Sequence, residues 1–343
     1  MTITYRTRRR LQRAGLIALV VLLVTMVFWL CWVIWAERFV VYTRDGATIN
    51  FDISDNVGQG QIAAPPSADE TISIYYNEGA NALDTDAGLT QINGYYIDAD
   101  TLQTDIAGAQ DIVATLPSGT AVMVDVKSPK GSFYYTSGLG DAVQASNVNS
   151  AAVDTLITEI TSRNLYAIAV VPAYRDYNYG LNHVSSGLAL PQGYLWADDS
   201  YCYWLDPTDA GTTNWLKQII EELRDLGFDE VVFTEFCFPN TDSIVFDGDR
   251  DEAINKAASN LVSACATNGL AISFMTTDSS FVLPEGRSRV YMQNVGAKNV
   301  ASVVASAAVP DPSANLVFMA NTNDTRFNEY SVIRSINTAA TTE

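Results

Sequence analysis

Three carboxylates stand where runs of strand-forming residues give out. TAVMVDVK carries Asp125 and, two residues on, Lys127; EVVFTEFCFP carries Glu235; LAISFMTT is followed by Asp278. A charged side chain is costly to bury unless it is paired or used. Two carboxyl groups facing one cleft can divide general-acid and general-base work between them. Side chains alternate along a strand. In TAVMVDVK, Val122, Val124 and Val126 share one face, the branched set suited to packing under helices. Ala121, Met123, Asp125 and Lys127 share the other. In EVVFTEFCFP the same count groups Val231, Phe233, Glu235 and Cys237 and turns Thr234 to the opposite face.

Other polar groups end or follow similar runs. Arg175 and Asp176 follow YAIAVVPAY, Gln293 and Asn294 end SRVYMQN, and Asn321 ends NLVFMAN. The stretch 174–206 is rich in Tyr and Trp, which suits stacking on sugar faces or packing on itself. Structural readings stand beside these. Asp125 and Lys127 could be an ion pair, Glu235 could pair with Lys127 or Arg175, and Asp278 could cap a following helix. Asp229 and Glu230 begin their strand and are read as stabilising. His183 is the single histidine, in a Tyr/Asn/Gly-rich loop, which argues against a His-based triad or zinc site. Cys202, Cys237 and Cys265 have no metal-like spacing and read as isolated thiols, with a Cys202–Cys237 disulfide as the alternative. No metal and no cofactor are expected.

The elements that would position these groups alternate. Strands are read at 94–99, 120–127, 166–172, 229–236, 270–276, 288–293 and 315–320. Helices are read at 101–116, 150–164, 209–227, 251–269 and near 297–307, with another closing the chain. The helix at 150–164 shows Val153, Leu156, Ile157 and Ile160 on one face. An eighth strand is sought in SYCYWL (200–205) or TISIYYN (71–77). Alternating apolar strands and helices imply a parallel sheet covered by helices. The expected fold is α/β, a (β/α)8 barrel of the usual size of about 250 residues, preceded by a single N-terminal transmembrane helix. An open doubly wound sheet is the competing architecture, but no Gly-rich phosphate loop follows the first strand. In a barrel, catalytic groups gather at the C-terminal strand ends.

The chain has 343 residues, 48 % of them hydrophobic, with 39 Asp and Glu against 20 Lys and Arg. That balance argues against nucleic acid as a partner. The N-terminus differs. Residues 1–13 carry five arginines and no acid, and residues 14–36 carry no charge. As a helix that run would be about 34 Å long, enough to cross a bilayer. The arginines place the N-terminus in the cytoplasm, and Trp29, Trp32 and Trp35 gather toward the far interface. The expected organisation is therefore a cytoplasmic basic segment (1–13), a transmembrane signal anchor (14–36), an extracellular stalk or linker (37–70) and a (β/α)8 domain (71–343). The expected location is the cell membrane, single-pass, with the barrel outside. A hairpin around Asp45-Gly46 is expected in the stalk.

WLDPTDAGTTNWLKQIIEELRDLGFDEVVFTEFCFP resembles a glycoside hydrolase-like barrel family typified by a "DP … GFDEI-x-FDY-x-RFP" signature. AVMVDVKSPKGSFYYTS is similar to that family's "V-x-D-x-K-D-x-x-G-x-x-Y-x-S" segment, and VVPAYRD to its third-strand motif. The resemblance covers roughly residues 90–335. It implies a barrel related to the alpha-amylase-like enzymes, in which the acid pair lies on two consecutive strands. The signature departs at one place, where FDY-x-RFP becomes FTEFCFP. Aligned without a gap, the family Asp falls on Thr234, its Tyr on Glu235 and its Arg on Cys237. Either Glu235 replaces the acid from the next position or the acid is lost.

The expected function is a membrane-anchored extracellular glycoside hydrolase, acting on a cell-envelope or environmental polysaccharide or oligosaccharide by two-carboxylate acid/base catalysis. Glu235 and Asp278 are the first choice of pair, with Asp125 next. Lys127, Arg175, Asp176, Gln293, Asn294 and Asn321 are the candidate substrate-binding residues. The lipid bilayer is the second partner, through residues 14–36. The alternative is a non-catalytic glycan-binding or structural envelope barrel.

Overall fold

Short apolar runs rich in Val, Ile and Phe form strands because their branched side chains pack well on a pleated surface. Eight of them pair in parallel and close into a barrel in chain order. They are β1 (Asn93–Ile97), β2 (Ala121–Asp125), β3 (Tyr166–Pro172), β4 (Glu230–Thr234), β5 (Ala271–Thr276), β6 (Val290–Met292), β7 (Leu316–Met319) and β8 (Ser331–Ser335). The computed structural model describes residues 25–26, 40–43, 46–49, 89–266, 269–276, 281–307 and 309–341.

Alternation separates the two faces. Ala121, Met123, Ile168, Val170, Val232, Tyr291, Val317 and Ile333 pack together inside the barrel. Val122, Val124, Ala167, Ala169, Val231, Phe233 and Ile272 pack outward among the helices. The helices are α1 (Ala99–Thr104), α2 (Ile106–Thr115), α3 (Ser150–Ser162), α4 (Tyr177–Asn182), α5 (Ala210–Asp225), α6 (Arg250–Cys265), α7 (Val300–Ser306) and α8 (Pro312–Asn315). On α5, Trp215, Leu216, Ile219, Ile220 and Leu223 are buried, the stripe that a 3.6-residue period produces. Each such side chain contributes on the order of 1.5–3 kcal/mol on burial. Asp98, Asp105, Asn149, Asp209 and Asp249 start five of the helices by accepting from free N–H groups of the first turn. Gly227, at φ +91, lies just past α5 in the left-handed conformation that glycine adopts without cost.

Strand β1 approaches β2 so closely that a Cβ on Gly94 would sit 1.9 Å from the Ala121 carbonyl oxygen. Only glycine fits there. The eighth strand is Ser331–Ser335, which pairs with β7 and closes onto β1 at Val332↔Asn93 and Ile333↔Gly94. This corrects the expectation of SYCYWL or TISIYYN. SYCYWL instead makes isolated bridges within the loop after β3, at Arg175↔Trp204 and Ala197↔Tyr203; TISIYYN lies outside the described residues. The region read as a closing helix holds β8 and then a 3-10 turn at Ile336–Thr341.

The barrel floor is polar. Glu230 is fully buried and accepts from Tyr166 Oη at 2.9 Å, Tyr291 Oη at 3.0 Å and Ser273 Oγ. It pairs with Arg289, itself 1 % exposed, whose Nε and Nη2 donate to the carbonyls of Ala314 and Thr90 at 2.9 Å. Every polar group in this plug has a partner, which is the condition for burying charge.

Ahead of the barrel, Val40–Thr43 pairs antiparallel with Gly46–Ile49. The expected anchor, 14–36, lies outside the described residues apart from Thr25 and Met26. Among the described residues no helix is long and apolar enough to cross a membrane.

Candidate active site

A cavity of about 520 Å³ opens at the C-terminal ends of the strands. Its polar wall holds Asp125, Lys127, Tyr96, Tyr134, Thr234, Glu235, Thr276 and Gln293; Pro129, Val170, Pro172, Phe236 and Met275 give it an apolar side. Asp125 ends β2 on the inward face, as the alternation of TAVMVDVK requires. Tyr96, from the neighbouring β1, donates its hydroxyl to Asp125 Oδ1 at 2.7 Å. The Ala99 N–H donates to Oδ2 at 2.8 Å. Both bonds favour the carboxylate. Burial opposes them and wins, lifting Asp125 to about 6, with Asp98 and Asp100 adding to the rise.

Glu235 reaches the cavity by a route that alternation does not supply. The inward set of β4 is Glu230, Val232 and Thr234, because Val231 and Phe233 pack under the helices. Thr234 therefore lines the cavity, which corrects the expectation that it turns toward the helices. Glu235 follows the strand with φ +51, the left-handed region that non-glycine residues rarely occupy. That residue breaks the alternation and brings a second consecutive side chain into the cavity. Strain of this kind costs of order 1–3 kcal/mol and clusters at functional sites. Burial raises the Glu235 carboxyl above its ordinary value, while Arg175 pulls it down.

The remaining candidates divide. Lys127 touches the cavity but is only 1 % exposed; its Nζ lies 2.8 Å from Asp176 Oδ2 and donates to the Pro172 carbonyl at 3.1 Å. Asp176 is fully buried, starts α4 by accepting from Tyr179 N, takes a bond from Trp215 Nε1 at 3.2 Å and lies outside the cavity wall. Its pairing with Lys127 ties the loop after β3 to the end of β2. Arg175 donates through Nε to Asp198 Oδ2 at 2.5 Å, and Trp204 Nε1 donates to the same oxygen at 3.1 Å. Gln293 is exposed at the rim. Asn294, at φ +57, and Asn321 are exposed outside the wall. Asp278 lies outside the described residues.

Tyr96 and Tyr134 were not singled out in the sequence. The signal for Tyr96 was its place two residues after Gly94, on the inward parity of β1. Cys237, which also lines the cavity, is a free thiol pushed up to about 11 by burial and by Glu235, so at neutral pH it is protonated and a poor nucleophile. Cys202 and Cys265 are free and buried. Among the described residues no three His, Cys, Asp or Glu side chains are grouped to hold a metal ion.

Two carboxyls lining one cavity at the C-terminal mouth of a barrel are the kind of group that glycosidic hydrolysis uses. Residues 103–271 match a family model described as "Putative glycosyl hydrolase domain". The match runs from α1 into β5 and includes Asp125, Thr234 and Glu235. No curated protein matches the chain.

Among solved structures, a hypothetical protein from Ruminiclostridium thermocellum ATCC 27405 is similar at 23 % identity and TM-score 0.44, over 53 % of this chain and 96 % of that one. A family 20 exo-β-N-acetylglucosaminidase from Vibrio harveyi is similar at 9 % identity and TM-score 0.49, over 72 % of this chain and 50 % of that one. A family 36 alpha-galactosidase from Geobacillus stearothermophilus is similar at 10 % identity and TM-score 0.48, over 74 % and 40 %. The matches thus cover half or less of these two glycosidases.

Proposed function

We propose that the barrel is a glycoside hydrolase in which Asp125 and Glu235 form the working pair. The observation that carries this reading is their meeting in one cavity, each displaced upward by burial and each with different neighbours. Pairs whose surroundings differ in this way divide acid and base roles. Asp125 is bonded only by neutral donors and sits near 6, so it protonates the leaving oxygen. Glu235 has Arg175 to favour its charge, so it is the ionised partner. It either activates a water or attacks the anomeric carbon, according to the carboxyl separation: about 6.5–9.5 Å for inversion or about 5–5.5 Å for retention. Tyr96 and the Ala99 N–H hold Asp125 in one orientation. Phe236, Met275 and Pro129 offer apolar surface to the sugar face. Asp278, the earlier first choice of partner for Glu235, is not needed for this scheme.

The five arginines before an uncharged 23-residue run support a membrane-anchored protein with the barrel outside, acting on a cell-envelope or environmental polysaccharide. A reporter fused after residue 343 is then extracellular, and the mature chain still begins near residue 1. An N-terminus starting after Ala36 overturns the anchor.

A second reading has one observation in its favour. The inward position at the end of β4, where the family pattern has an acid, is Thr234. A glycan-binding barrel without turnover would tolerate that change. Incubation of the full chain with a panel of polysaccharides separates the two: new reducing ends support the hydrolase, and retention without products supports the binder.

A further inference from the structure

The charges around the cavity are unevenly matched. Lys127 is paired with Asp176, both side chains fully buried. Arg175 is paired with Asp198 and stands outside the wall. Lys130 is exposed, next to Pro129 in the chain, and is not part of the wall. The wall's two carboxylates, Asp125 and Glu235, have no cation bonded to them. Asp125 is held only by neutral donors, Tyr96 and the Ala99 N–H. Glu235 feels Arg175, which favours its charge, and to a lesser degree Asp198, which opposes it. Thus Lys127, the cation of the described wall, and Arg175, just outside it, are already paired with acids of their own, and Asp125 and Glu235 leave the field inside the cavity negative. Low-dielectric walls strengthen such a field.

Resting on the hydrolase reading, we propose that the cavity takes sugars carrying no anionic group, either neutral sugars or amino sugars, and rejects uronates and sulfated or phosphorylated sugars. An anionic ring would meet a like charge at closest approach with no free guanidinium or ammonium in the described wall to receive it, and like-charge juxtaposition is the usual means of excluding a wrong partner. A site built for an acidic sugar would keep Arg175 or Lys127 free, since planar, bidentate capture of a carboxylate needs an uncommitted guanidinium.

Binding of three tetrasaccharides to the full chain tests this at pH 6.5: a glucosamine, an N-acetylglucosamine and a galacturonate tetramer. The first two should bind, and the galacturonate should bind at least about tenfold more weakly, with the gap closing as salt rises. Glu235→Gln should narrow the same gap at low salt, since it removes the charge of the ionised partner and keeps the shape. Galacturonate binding as well as or better than the other two, a gap indifferent to both salt and Glu235→Gln, or no binding by any of the three overturns the proposal. Product analysis with the unmodified protein keeps the two readings apart. Tetramers bound in the predicted order but left intact refute the hydrolase and leave the charge selectivity standing. Cleavage of the galacturonate does the reverse.

Discussion

Tyr96 and Asp125 stand on adjacent parallel strands, and the hydroxyl of the first donates to the carboxylate of the second at 2.7 Å. The pairing fixes the orientation of the acid and resists the upward push of burial on its titration. Tyr134, Asp98 and Asp100 are the other titratable groups acting on the pair, and Asp98 and Asp100 favour the protonated acid.

Tyr96→Phe removes the donor and leaves the ring. The titration of Asp125 should then move above about 6. A hydrogen bond to a charged group is worth about 1.5–3 kcal/mol, which corresponds to a rise of about 1–2 pH units. Carbon-13 NMR of labelled aspartate reads this without a substrate. In an active preparation, the alkaline limb of kcat/KM should rise with it. A limb unmoved or lowered would show that Tyr96 does not set this acid.

Asp125 also makes stability depend on pH. Its folded value, about 6, lies above its unfolded value near 4, so the folded state holds the proton more tightly. Its contribution is complete below about pH 4 and is lost as pH rises through about 6. The loss amounts to about 3 kcal/mol, two units at about 1.4 kcal/mol each. Urea unfolding at pH 4 and pH 7 should show this decline in the unmodified chain and a flatter profile in Asp125→Asn. Identical slopes would mean that the carboxyl is solvated.

At the other end of the barrel, Glu230 and Arg289 have no such role. Arg289→Met leaves a buried carboxylate without its cation and should destabilise the fold by about 3–5 kcal/mol. Glu230→Gln combined with Arg289→Met should recover part of the loss. Thermal melts of the three proteins test this, and a single variant as stable as the parent would contradict the account of the floor.

Parity made much of this legible before any coordinates. Val122 and Val124 beneath the helices, with Asp125 on the opposite face, follow from two-residue alternation alone; the covered parallel sheet follows from the alternation of apolar strand segments with segments of helical period. Glu235 shows where the rule stops. Strand β4 ends at Thr234, and a left-handed residue carries the glutamate inward despite its outward parity. No propensity signals that conformation, because glutamate seldom adopts it. The Lys127–Asp176 pair joins residues on different elements and depends on how the loop after β3 folds back, which alternation does not encode. The eighth strand escaped notice because SVIRS offers one apolar pair, Val332-Ile333, between polar ends. Its strand character comes from the two neighbours it joins.

The pairing of Asp125 with Glu235 is tested most directly by turnover in single variants. On the glycan that the unmodified full chain cleaves fastest in a polysaccharide panel, Glu235→Gln and Asp125→Asn should each lower kcat by about a hundred- to ten-thousand-fold while circular dichroism and glycan binding stay intact. Proton NMR of the first-formed anomer would then read retention or inversion. Turnover in either variant equal to that of the unmodified chain, or no cleavage by the unmodified chain of any glycan it binds, would contradict the account.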